Sequence, residues 1–223
     1  MMISPQASAE DAAAKHAAQR EMKALRARVS RLDTNGLDLI FRGARSHHTW
    51  KPDAVSDADL HAIHELAKWG PTSTNGNPAR FIFVRSVEPK QRLSECVAEG
   101  NIAKVLNAPV MAIIAFDLEW WRGLAHLFSH RDMSGPYRSN PVKAAETALR
   151  NGSLQGAYLM IAARALGFDI GGISGFDNAK VDQAFLSGTT FRSNFLCAIG
   201  HADEAGLFQR LPRYAFEEVC KIV

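Results

Sequence analysis

Gly70-Pro71-Thr72-Ser73-Thr74-Asn75-Gly76-Asn77-Pro78 crowds turn formers, hydroxyls and amides into one short run. Gly and Pro break regular structure, and Ser, Thr and Asn side chains bond nearby backbone groups. The run therefore reads as a loop that exposes N–H groups and short polar side chains. Such a loop suits the grip of a polar cofactor and equally an ordinary surface turn; composition alone does not separate the two. Its flanks say what it connects. Ahead of it, Ser56 and Asp59 have the spacing of a helix N-cap box, and Leu60, Ile63 and Ala67 line one face of a helix that stops at Gly70. Behind it, Arg80 to Arg85 holds the β-prone run Phe-Ile-Phe-Val, which predicts a buried strand.

Further along, Val110 to Phe116 is almost continuously apolar and reads as a second buried strand. Asn140-Pro141 pairs an N-cap with proline at the first helical position, and small or apolar residues continue to Leu166 before Gly167. That predicts a long central helix, apolar on most sides, buried in a core or in a dimer interface. Asp177 can cap a helix carrying Val181 and Phe185, and Phe195 to Ile199 supplies a last strand. Helices and strands interleave without a βαβ repeat, so the expected class is α+β. In residues 8–32, Met22, Leu25, Val29 and Leu32 recur at helical spacing among Ala, Arg, Lys and Glu. Between Arg20 and Arg31 there are five cations (Arg20, Lys23, Arg26, Arg28, Arg31) and one anion, Glu21. This helix can pack on a partner subunit or bind an anionic polymer, and the first is the preferred reading. Asp33-Thr34-Asn35-Gly36 breaks it, so residues 1–36 are read as a helical appendage to a domain of residues 37–223.

Composition narrows the classes. With 223 residues, 47% hydrophobic and 22% charged, the chain is long enough for a sizeable core. Its apolar runs are far shorter than the ~20 residues that span a bilayer. The N-terminus mixes Ala with Glu10, Asp11 and Lys15, unlike a secretory signal, so a cytoplasmic protein without a membrane partner is expected. Cys96, Cys197 and Cys220 are an odd set without CxxC spacing, which points to neither a disulfide framework nor zinc. A net charge of +3 does not indicate nucleic acid.

Common catalytic motifs are missing. There is no GxGxxG and no phosphate-binding GxxxxGK[ST], and Gly171-Gly172-Ile173-Ser174-Gly175 lacks the GxSxG spacing of a hydrolase elbow. His61, His64 and Glu65 are not HExxH and are expected on a solvated face, while the adjacent His47 and His48 point apart and chelate one ion poorly. No metal is expected. What remains is a scattered set: Arg45-Ser46-His47-His48, Pro71 to Pro78, Asn101 with Lys104, Gly172 to Gly175, and Arg210 with Arg213.

In order and approximate spacing this set resembles the FMN-dependent nitroreductase superfamily, from about Leu37 to Val223. The resemblance implies that Ala44-Arg45-Ser46-His47-His48-Thr49-Trp50 holds the FMN phosphate and one ring edge. Arg45 is the phosphate candidate, since a guanidinium fork binds phosphate oxygens in pairs. The family commonly has two basic residues before this Ser and a third after it, whereas here one Arg and two histidines stand there. Pro71, Thr72, Ser73 and Asn75 correspond to a loop that reaches the FMN of the other subunit. Asn101-Ile102-Ala103-Lys104 matches an Asn-x-x-Lys near the pyrimidine edge of the flavin, where a cation stabilises the anionic reduced ring. Ile173-Ser174-Gly175 matches the segment whose backbone faces the hydride-carrying nitrogen; Ser174 stands where some relatives have Glu, and glycine at 175 allows close approach to a planar ring. Lys104 and Ser174 are thus the expected catalytic positions. Arg213, with Arg210, would complete the phosphate clamp.

More finely, Lys68-Trp69-Gly70-Pro71-Thr72-Ser73, Pro78-Ala79-Arg80-Phe81, Ser174-Gly175-Phe176-Asp177 and Leu211-Pro212-Arg213 resemble the malonic semialdehyde reductase subfamily of bacterial pyrimidine utilisation. The resemblance implies a nitroreductase-like fold with a central sheet flanked by helices. It also implies an obligate homodimer with FMN at its interface, and hydride transfer from NAD(P)H to a small aldehyde acid. Trp120 to Tyr137 is aromatic and aperiodic, and reads either as a lid, with Arg131 or Arg138 for a substrate carboxylate, or as core packing. Alternatives are a broad nitroaromatic or quinone reductase and, in a different class, a flavin-holding or nucleic-acid-binding protein using the basic helix.

Overall fold

The computed structural model describes residues 5–223, with side chains from residue 12 onward. The described residues form two compact units, divided between Arg42 and Gly43. In the first, α1 (Pro5–Arg28) ends with Val29 N still donating to Leu25 O at 2.8 Å. Asp33 then caps the short α2 (Thr34–Leu37), its Oδ1 accepting from Gly36 N at 2.7 Å, and a π-helical turn follows over Asp38–Arg42.

The second unit contains α3 (Asp57–Ala67), β1 (Ala79–Val84), α4 (Val87–Ser94), α5 (Glu99–Asn107), β2 (Val110–Asp117), α6 (Leu124–Leu127), α7 (Gly135–Arg138), α8 (Pro141–Ala165), β3 (Asp169–Ile173), α9 (Asn178–Phe185), β4 (Phe191–Gly200) and α10 (Phe216–Val219). Its strands form one antiparallel sheet in the order β1-β2-β4-β3. The apolar continuity of β2 has a simple cause, because helices cover both faces of the sheet. Val110, Ala112 and Ile114 join Ile63 of α3 and Leu159 of α8 in one core cluster, while Met111 and Ile113 join Leu93, Val105 and Val181 of α4, α5 and α9 in the other. Each such Val, Leu, Ile or Met side chain, once buried, contributes roughly 1.5–3 kcal/mol. The α+β class is as expected.

Local signals hold where they are strong. Ser56 and Asp59 form a reciprocal capping box, Asn140 accepts from Lys143 N, and Asp177 accepts from Lys180 N. Several elements have no counterpart in the sequence reading, among them α5, the short α2, α6, α7 and α10, α4 with Pro89 in its first turn, and β3, whose glycine pair argues against a strand by propensity. Gly171 is there for space: a Cβ at this position would lie 2.3 Å from the backbone oxygen of His47, so the strand accepts the passing chain only as glycine. In the Trp120 to Tyr137 stretch, packing governs the placement. Trp120 is 2% exposed, donates from Nε1 to Ala144 O at 3.1 Å, and packs against Tyr137 with ring centroids 4.5 Å apart and planes tilted by 59°. Among the described residues no helix is long and apolar enough to cross a membrane.

Candidate functional site

Four segments distant in sequence meet at the β3 side of the sheet. The Ala44–Trp50 segment is laid along β3: Ser46 bridges Ile170, His47 N donates to Ile170 O at 3.0 Å, and His47 Nε2 lies 3.3 Å from Asp169 Oδ1. The same segment is tied to the chain after β4, since Trp50 bridges Ala202 and the Thr49 hydroxyl donates to Asp203 O at 2.9 Å. The C-terminal segment returns to it. Arg45 Nη2 donates to Phe208 O, and Arg210 Nη2 donates to Ala44 O at 3.1 Å. Two guanidinium groups are thereby interlocked across the segments they belong to.

The other two segments are α5 and the turn after β3. Lys104 Nζ donates to Asn101 Oδ1 at 2.9 Å, and Asn101 Nδ2 donates to Gly175 O at 3.0 Å. Ala98 N donates to the same Gly175 oxygen at 2.9 Å, so the turn is clamped to the start of α5. A Cβ at 175 would stand 2.8 Å from Asn101 Nδ2. Glycine there serves the amide clamp and leaves a bare backbone at the surface, a reason that ring approach alone does not supply. Ile173 puts its side chain into the core, while Ser174 and Gly175 are exposed. His48 links the segments electrostatically: burial first, then the charge of Lys104, then His47, hold its pKa below the ordinary 6.5. A neutral imidazole therefore stands in the field of the Lys104 ammonium.

Arg213 is placed differently. Its Nη1 donates to Leu211 O at 3.2 Å and Pro212 O at 2.9 Å, carbonyls of its own segment. The Pro71 to Pro78 loop is also apart from the cluster and packs on α8. Ser73 N donates to Asn151 Oδ1 at 2.9 Å, Ala79 N donates to Gln155 Oε1 at 2.9 Å, and Gln155 Nε2 donates to Asn77 Oδ1 at 3.1 Å. Asn75 Nδ2 reaches Leu127 O at 2.9 Å, and Asn77 N donates to the Thr72 hydroxyl at 3.2 Å. Pro71 is exposed at the entry to this loop. Thr74, Asn75 and Asn77 have φ of 54°, 50° and 43°. For the β-branched Thr74 this is a genuine outlier, and it persists because the surroundings over-determine it. Sequence reasoning missed Asn151 and Gln155. Their signal was Thr147, Asn151 and Gln155 at four-residue spacing, one polar row on the buried side of an otherwise apolar helix.

The donor set fits a planar, anionic cofactor. Arg45 and Arg210 supply forked cations, Lys104 a point charge, and Ser174 and Gly175 an exposed turn whose glycine leaves room for the Asn101 amide. Trp50 Nε1, buried at the back of this region, has no hydrogen-bond partner among the described residues. Among the described residues no group of three or more His, Cys, Asp or Glu converges as a metal site.

A sequence model described as the nitroreductase family matches residues 41–201. A Burkholderia lata protein with the provisional name NADH dehydrogenase/NAD(P)H nitroreductase is 48% identical over 194 residues, 87% of this chain and 100% of the relative. Among solved structures, a provisionally named nitroreductase from Exiguobacterium sibiricum, in complex with FMN, superimposes with a TM-score of 0.76 at 20% identity, over 86% of this chain and 99% of that one. A nitroreductase family protein from Streptococcus pneumoniae gives 0.74 at 20% identity, over 84% and 99%.

Proposed function

The chain belongs to the nitroreductase family, and from that premise we propose that it is an FMN-dependent NAD(P)H oxidoreductase whose acceptor is 3-oxopropanoate, malonic semialdehyde, reduced to 3-hydroxypropanoate. The observation that carries the cofactor reading is the pairing of two cationic features: Arg45 and Arg210 interlocking the Ala44–Trp50 and C-terminal segments, and Lys104, in whose field His48 lies, held by the Asn101–Gly175 clamp. Bound there, the flavin supplies hydride chemistry, taking two electrons from NAD(P)H and giving them to the acceptor. Arg45 and Arg210 would hold the phosphate, with Ser46, His47 and Arg213 as further candidates to bind it. His48 and Lys104 would lie toward the flavin ring, where the ammonium would favour its reduced, anionic form. Ser174 would keep the surroundings of the flavin ring neutral, and the backbone of Ile173 and Gly175 would support it.

In this reading Pro71, Thr72, Ser73 and Asn75 serve the cofactor of a second copy, because the loop packs away from its own chain's cluster. Two exposed apolar surfaces favour an obligate homodimer. On α8, Val142 and Leu149 on one side of its buried face and Leu154 and Tyr158 on the other are 68%, 45%, 46% and 38% exposed, and the C-terminal stretch shows Phe208, Leu211, Tyr214 and Ile222 at 76%, 69%, 77% and 87%. Residues 1–36 are an appendage to a catalytic domain of residues 37–223, and the setting is the cytoplasm.

The substrate assignment rests on the subfamily resemblance of Trp69 to Ser73, Pro78 to Phe81 and Leu211 to Arg213. The second reading, a broad nitroaromatic or quinone reductase, is favoured by the family match itself. The test is a visible spectrum of purified protein followed by anaerobic NAD(P)H addition, then kcat/KM for 3-oxopropanoate against a nitroarene. Non-covalent FMN that bleaches, with the aldehyde acid preferred, supports the proposal. A colourless protein that takes up no FMN refutes the cofactor, and a preference for the nitroarene refutes the substrate.

A further inference from the structure

We infer that the cavity walled by α6 and the chain running from it to α7 holds the carboxylate end of the acceptor, with Arg131 selecting acids over neutral compounds of the same shape. The cavity has a volume of about 450 Å³, with Trp121 and Phe128 as half-buried apolar walls and Arg122, Arg131 and Asp132 as its charged groups. The walls are braced. Both rings pack on the cluster of Trp120, Leu124 and Ala148, and Phe128 also meets the His130 ring with centroids 4.0 Å apart. The three charges are not equally available. Arg122 Nη2 donates to Glu119 Oε1 at 2.9 Å, and its guanidinium lies 5.5 Å from the Trp121 ring centroid. Asp132 accepts from Ser134 N at 2.8 Å, and hydrogen bonds from the side chain and backbone of Ser134 hold its carboxyl below the ordinary carboxylate range. The backbone N–H of Arg131 reaches Phe128 O at 3.5 Å, but its side chain has no hydrogen bond or ion pair among the described residues.

One cation is thus neutralised, the one acid is satisfied, and one guanidinium keeps its donors. Its planar fork takes a carboxylate in two parallel hydrogen bonds, while the two aromatic walls cover the rest of a flat or short-chain acid. The cavity is also fastened to the Pro71 to Pro78 loop: Asn75 Nδ2 donates to Leu127 O at 2.9 Å, and a Cβ on Gly76 would lie 2.3 Å from the Trp120 ring. Loop and cavity wall therefore pack as one body. The inference rests on the flavin oxidoreductase reading above, in which that loop serves a cofactor, but it does not depend on whether the reducible group is an aldehyde or a nitro group.

The experiment uses full-length, FMN-loaded protein and two pairs of acceptors matched in shape: 3-oxopropanoate with 3-methylbutanal, and 4-nitrobenzoate with 4-nitrobenzamide. Arg131→Met should lower kcat/KM for both acids about tenfold or more, chiefly through KM, and change the neutral compounds less than about twofold. Arg131→Lys, which keeps the charge and loses the fork, should fall between. An equal fall for acids and neutral compounds, or no fall for the acids, overturns the inference while the flavin reading stands. A protein that takes up no FMN overturns that reading instead, and the cavity is then read without turnover. Benzoate is titrated into wild type and Arg131→Met, followed by the indole N–H signal of Trp121. Binding that is lost in the variant supports the carboxylate site; equal binding in both, or none in the wild type, overturns it.

Discussion

Asn151→Leu removes the side chain that ties the Pro71 to Pro78 loop to α8 while roughly keeping its volume. Asn151 is 3% exposed, accepts from Ser73 N at 2.9 Å and donates to Thr147 O at 2.8 Å. Each bond contributes about 0.5–1.5 kcal/mol net, so their joint loss costs about 1–3 kcal/mol. The loop is sensitive to that loss because it holds Thr74, Asn75 and Asn77 at positive φ, conformations that cost of order 1–3 kcal/mol each and relax once their supports go. At the middle of the range, about 2 kcal/mol, the open form of the loop becomes some thirtyfold more populated, since 1.4 kcal/mol is tenfold. Amide hydrogen exchange reads this directly: Ser73, Asn75 and Gly76 should exchange about ten- to a hundredfold faster, and the urea midpoint should fall. If exchange at these amides and the midpoint both stay at wild-type values, α8 does not hold the loop and the argument is wrong. FMN affinity measured in parallel then reports whether the held loop matters to the cofactor.

Gly175→Ala should break the Asn101 clamp, because its Cβ would sit 2.8 Å from Asn101 Nδ2; overpacking of this kind costs about 1–3 kcal/mol, seen as a lower thermal midpoint and weaker FMN retention. In the FMN-free protein, the C2 proton of His48 should titrate below 6.5, and Lys104→Met should move that midpoint up part of the way, burial being the larger cause. The sign for stability follows: with its folded pKa depressed, His48 binds protons more readily unfolded, so stability falls as pH drops through 6.5, and a His48→Gln chain should lose that part of the slope. Arg45→Met should weaken FMN binding about tenfold or more, a charge-assisted contact being worth ~1.5–3 kcal/mol; titration of the apoprotein by fluorescence quenching decides it. FMN should also tighten the dimer by mass action, so an FMN-loaded monomer in sedimentation would contradict the shared site.

Features that one local pattern dictates were readable in the sequence. Asn140-Pro141 started α8, Ser56 and Asp59 started α3, and the apolar run from Val110 set β2, because caps and burial on both faces act within a few residues. The family was recognisable from its segments taken together, although nothing in their spacing says that Arg45 would reach the Phe208 carbonyl. What stayed hidden depends on a distant partner. Gly171 reads as a breaker until the His47 carbonyl passing over it is known, and Asn151 reads as a helix blemish until Ser73 is placed beside it. Thr74 gave no warning at all, since β-branched residues rarely take positive φ and only the surrounding bonds hold it there.

The bond from Arg45 to Phe208 spans 163 residues, and Arg210 to Ala44 spans 166. Contacts of such long sequence separation close large loops, whose entropy must be spent before the contact returns anything, and chains rich in them fold slowly. The sheet and its two helical layers can assemble from nearer neighbours, so the interlock of the two arginine-bearing segments should form last. In refolding followed by stopped flow, burial of the β2 core should precede recovery of FMN binding by a resolvable delay. Cofactor capture is then a report on the completion of folding, and a chain that has built its core but not this interlock would be a soluble, ordered apoprotein exposing the apolar C-terminal stretch to proteases and chaperones.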